Sequence, residues 1–80
     1  MSELVVAGVW QATTLVALGV KLIGTTEPDH RGWVNFRVDN SDGAAERLVA
    51  DWERLSVPAG RLSEAYGQVV WTMRSAKKQW

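Results

Sequence analysis

The chain reads as a small α+β domain, with an N-terminal helix, a two-stranded antiparallel hairpin and two C-terminal helices packed on one face of it. Three observations predict this. Residues 33–39 alternate strictly, Val34, Phe36 and Val38 falling on one side and Trp33, Asn35, Arg37 and Asp39 on the other. That is the period of two required of a half-buried strand. Ala45, Leu48, Val49, Trp52 and Leu55 recur at helical spacing, and so do Leu62, Ala65, Val69, Met73, Ala76 and Trp80, which predicts two amphipathic helices. Leu4–Val20 carries no charge, and its pattern fits a helix that is apolar nearly all round and deeply buried.

Eighty residues make one domain, residues 1–80, because a chain this short cannot divide into two cores. A domain of this size buries only roughly 60–65% of the surface its unfolded chain exposes. The absence of cysteine removes disulfides and thiolate metal sites as supports and fits a cytoplasmic setting. What remains is dense packing of the five tryptophans or assembly with further copies. Nine basic residues balance nine acidic ones, so no global field steers the chain to nucleic acid or anionic lipid. The C-terminal end is locally basic through Arg74, Lys77 and Lys78. Leu4–Val20 is not expected to enter a membrane. It lies at the lower limit for a span, is interrupted by Gln11, Thr13 and Thr14, and has Glu3 where a secretory signal needs positive charge.

In order along the chain, the first helix is expected from about Val6 to Leu18, closed by Gly19 and the apolar Val20 in a Schellman arrangement. The β-branched Val5, Val6, Val9, Thr13, Thr14 and Val16 pull the same segment toward extended structure. Residues 20–26 follow as a strand with Lys21, Ile23 and Thr25 on one face and Val20, Leu22 and Gly24 on the other. Residues 27–32 are turn chemistry leading into the alternating strand. Ser41 or Asp42 is the expected N-cap of the second helix. Val57-Pro58 breaks that helix, and Pro58 starts the third. A hairpin alone is a poor sheet, so a neighbouring copy is expected to complete it; in a monomer, Leu4–Trp10 is the expected third strand.

Three stretches carry a resemblance: Ala17-Leu18-Gly19-Val20-Lys21-Leu22, then Val34-Asn35-Phe36-Arg37-Val38-Asp39-Asn40-Ser41, then Asp51-Trp52 with Val57-Pro58. In these the chain resembles an uncharacterised domain family of bacterial, archaeal and phage proteins, over most of residues 8–76. The resemblance implies no activity. It implies a small accessory protein of phage or mobile-element type.

No catalytic constellation is present. His30 is the only histidine and lies in a loop between Asp29 and Arg31; adjacent loop residues seldom point at each other, and no serine or threonine sits in a nucleophile motif. The glycines are isolated, with no phosphate-cradling loop, and no metal or cofactor motif appears. Two surfaces stand out instead. Trp33, Asn35 and Arg37 share the outward strand face, where an aromatic, an amide and a guanidinium can stack a base and hold a phosphate; the competing reading is a face covered by another subunit or another element. Trp71 lies about 200° around the last helix from Val69, close to Arg74 and Lys78. Such a patch suits a protein partner, an acidic ligand or nucleic acid, unless Trp71 packs on the hairpin or the first helix. The expected function is non-catalytic binding by a homo-oligomer, its ligand a nucleotide, nucleic acid or host protein, seated where subunits meet because one copy has little room for a pocket. The alternatives are a DNA-binding regulator using the basic last helix, and a purely structural assembly subunit.

Overall fold

Phe36 and Val38 are 1% and 0% exposed, as the period of two requires, and they belong to the central strand of a three-stranded antiparallel sheet. The computed structural model describes residues 2–79. Its elements are β1 (Glu3–Val6), α1 (Val9–Ala17), β2 (Leu22–Thr25), β3 (Phe36–Asp39), α2 (Ala44–Ala50), a 3-10 turn (Trp52–Arg54) and α3 (Ala59–Gln79). The sheet order is β1-β3-β2. The α+β class and the β2–β3 pairing therefore match the expectation. The two-stranded sheet does not. Glu3–Val6 pairs with β3, Val6 opposite Phe36 and Leu4 opposite Val38, so the chain supplies its own third strand.

The first helix is correspondingly shorter at its start than the expected Val6–Leu18. Gly8 takes a left-handed φ of 91°, a conformation side chains resist, and turns the chain from strand into helix. At the other end the expected closure is found: Gly19 has φ 98°, Val20 N–H donates to Leu15 C=O at 3.0 Å, and Gly19 N–H to Val16 C=O at 3.0 Å. This is the six-to-one and five-to-two pattern of a Schellman motif. Thr13 and Thr14 are accommodated because their hydroxyls donate to the carbonyls of Val9 and Trp10, at 2.7 and 2.9 Å, which satisfies them inside the helix.

β2 departs from its expected alternation. Leu22 faces Val38 and Gly24 faces Arg37, so a bulge at Ile23 brings Ile23 and Gly24 toward the outer side while Leu22 packs on the core. An extra residue on one strand has this effect. The N-cap of α2 is Gly43 rather than Ser41 or Asp42. Asp42 accepts from Ala44 N–H and Asn40 from Glu46 N–H, both at 3.0 Å, so two side chains share the capping. The apolar stripe of α2 ends at Val49, and Trp52 leaves it in the 3-10 turn. α3 begins one residue after Pro58, whose carbonyl accepts from Leu62 N–H at 3.0 Å.

The core joins Val6, Phe36 and Val38 of the sheet to Ala12 and Leu15 of α1, Ala45 of α2 and Val69 of α3. Its main helix pair is α1 with α3. All helices thus cover one sheet face, while the other carries Val5, Ile23 and Arg37. Tyr66 lies exposed at the edge of α3's buried face and stacks on Trp10 at 4.8 Å between ring centroids. Trp80 lies outside the described residues. No described helix is long and apolar enough to cross a membrane.

Candidate functional site

The loop between β2 and β3 is built by one carboxylate. Asp29 Oδ1 accepts from the backbone N–H of Arg31 at 2.8 Å and of Trp33 at 3.1 Å. Its Oδ2 meets the Arg31 guanidinium at 3.2 Å. The Arg31 N–H first, then the Trp33 N–H and the guanidinium, hold the Asp29 carboxyl below the ordinary carboxylate range, since hydrogen bonds to the charged form favour it. His30 is not among the donors to Asp29. At the loop base Thr26 N–H donates to Asn35 C=O at 2.9 Å and Asn35 N–H to Thr26 Oγ1 at 3.0 Å.

This scaffold holds Trp33 outward. Its side chain belongs to a residue 69% exposed, and the Arg31 guanidinium lies 5.9 Å from the ring centroid, within cation–π range. Between this loop, the β1–α1 turn and the C-terminal half of α3 runs a groove of about 660 Å³. Val34, Phe36 and Met73 give it an apolar floor, and Trp33, Asn35, Arg31 and Lys77 form part of its rim. Asp29 and Glu27 also reach it, so its charge is mixed. The volume is that of a small-molecule pocket, roughly 300–1,000 Å³. The groove lies within one copy, which therefore has more room for a pocket than its length suggests.

The six residues singled out from the sequence fall in three places. Trp33 and Asn35 line the groove. Arg37 does not join them: it sits on the outer sheet face, where Nε meets Glu3 Oε1 at 2.7 Å and a second nitrogen meets Oε2 at 2.9 Å. That two-pronged contact holds the Glu3 carboxyl low and the guanidinium pKa high. β3 begins only at Phe36, and the guanidinium beside the Trp33 ring is that of Arg31. Trp71 is 70% exposed on α3, with Arg74 and Lys78 also exposed, so it packs on neither the hairpin nor α1. Sequence reasoning missed Arg31 and Lys77. The signal for Arg31 was its place two residues from Trp33 across Gly32; Lys77 is one turn beyond Met73.

No family model, no curated protein and no solved structure matches this chain.

Proposed function

We propose that the chain is a non-catalytic binding module that works as a homo-oligomer and takes a mononucleotide, a planar ring carrying an anion, in the groove beside Trp33. The observation that carries this reading is a tryptophan held outward at the mouth of a groove by a loop tied down through Asp29. A nucleobase stacked on an aromatic side chain gains about 1–3 kcal/mol. Arg31 and Lys77 stand at the same rim to meet a phosphate. The mixed charge of the rim and the zero net charge favour one small anion over a long polyanion, which needs a continuous basic track. The oligomer half of the reading is supported by Trp71, exposed beside two cations on α3.

Calorimetric titration with adenine and guanine mononucleotides tests the ligand. Saturable binding that falls about tenfold or more in Trp33→Ala, and is unchanged in Trp71→Ala, is the expected result. Equal affinity of the parent and Trp33→Ala contradicts it. Binding that requires an oligonucleotide and weakens steeply with salt supports the DNA-binding alternative instead.

A further inference from the structure

Two surfaces of α3 behave differently. Ala65, Val69 and Ala76 are buried against the rest of the chain. On the opposite side Gly60, Glu64, Gly67, Trp71, Arg74 and Lys78 are all exposed, at successive spacings of four, three, four, three and four. Residues spaced alternately by three and four lie along one face of a helix. Read from either end, the spacing is the same, with its midpoint at the level of Val69. Gly67 and Trp71 are two residues from that level, Glu64 and Arg74 five, Gly60 and Lys78 nine.

We propose that two copies of this chain pair through these faces of α3, antiparallel, about a two-fold axis at the level of Val69. Each contact then occurs twice, as an isologous dimer requires. Glu64 faces the partner's Arg74, acid against base. Gly67 faces the partner's Trp71, the smallest residue against the largest. The two indoles come to lie about 6 Å apart along the helices, at 1.5 Å rise per residue, each over the other copy's Gly67. A parallel pairing would set Glu64 on Glu64 and Arg74 on Arg74, which like-charge repulsion opposes. The charges thus select the orientation.

Two observations show that these residues have no partner among the described residues. Gly67 lies inside α3, does not have positive φ, and an added Cβ there would meet nothing within 4 Å. Nothing among the described residues requires glycine there, although glycine inside a helix is less favourable than alanine. The missing Cβ leaves the notch that an indole from outside can enter. The ion pairs among the described residues are Asp29–Arg31 and Glu3–Arg37, so Glu64 and Arg74 are unpaired. They cannot pair with each other in one copy, being ten residues and about 15 Å apart along the helix.

This inference rests on the homo-oligomer half of the proposed function and is independent of the ligand half. A single pair of helix faces is a small interface, at the low end for specific association, so a concentration-dependent dimer is expected. Sedimentation equilibrium over a micromolar to submillimolar series tests it with four variants. Glu64→Arg and Arg74→Glu are each expected to weaken dimerisation about tenfold, since each sets like charges together twice. The double change Glu64→Arg with Arg74→Glu restores the parent affinity within about threefold, because the swapped charges attract again only across the axis. Gly67→Leu fills the notch and abolishes the dimer, while thermal melting of the isolated chain holds or rises through better helix propensity. A dimeric parent that is indifferent to Glu64→Arg overturns this interface and leaves the homo-oligomer standing. A parent that is monomeric throughout the series overturns both.

Discussion

The loop at residues 27–35 and strand β3 are adjacent in the chain and share one alternating pattern, yet they serve opposite ends. In β3 the apolar side chains Phe36 and Val38 are sealed under the helices, and the outward Arg37 is tied to Glu3. In the loop, Val34 still points in, but Trp33 stands out in solvent. What separates them is where the backbone hydrogen bonds go. From Phe36 onward β3 is paired on both sides; before it, Trp33 N–H is taken by Asp29 and its carbonyl by Asp29 N–H at 3.0 Å. The same alternation thus builds the floor of the groove in one stretch and a presented aromatic in the other. A side chain with a core to enter stabilises the fold. One held outward by a turn is free to meet a ligand.

The largest effect expected from breaking this contrast is at Phe36. Phe36→Ala removes the side chain at the centre of the core and should cost about 3–5 kcal/mol, most of the stability of so short a chain. Chemical denaturation measures it. A loss under about 1 kcal/mol would mean that the site collapses around the cavity and that Phe36 is not the keystone of the sheet.

A smaller and more local effect belongs to Asp29. Asp29→Ala should leave the melting temperature nearly unchanged, because the loop covers little of the core. It should abolish hydrogen-exchange protection at the Arg31 and Trp33 amides and weaken nucleotide binding several-fold. Retained protection at both amides would contradict the account of what holds Trp33.

The smallest effect is reached by acid. The folded pKa of Asp29 is depressed, so its bonds contribute fully above the unfolded carboxylate's pKa and are lost as pH falls through the folded one. Glu3, lowered chiefly by its hydrogen bond from Arg37, follows the same sign. Amide resonances of Arg31 and Trp33 should therefore move only below the ordinary carboxylate range. Movement near neutral pH would point to a different group.

How legible this was depends on how far each cause reaches along the chain. The closure of α1 through Gly19 and Val20 is local, and the sequence announced it. The inward set Val34, Phe36 and Val38 followed from periodicity, and the outward direction of Trp71 from helical phase. β1 was obscured because Leu4-Val5-Val6 runs into the apolar stretch of α1, and its partner residues lie thirty or more positions away, Val6 pairing with Phe36; only Gly8 marked the break. The bulge at Ile23 depends on which residues β3 offers across the sheet. The groove was hidden for a similar reason: Trp33 and Asn35 could be singled out, but Lys77 reaches them only through the packing of α3. Arg37 looks available in the sequence because its tie to Glu3 crosses thirty-four positions.

The most direct test of the contrast between loop and strand is a titration of the parent protein with a mononucleotide, followed by the tryptophan indole N–H resonances. The account predicts that the Trp33 indole and the Arg31 amide shift saturably together, with the Met73 methyl beside them, while the Trp71 indole and the Arg37 amide stay in place. Shifts centred on Trp71, or no saturable shift at Trp33, would contradict it.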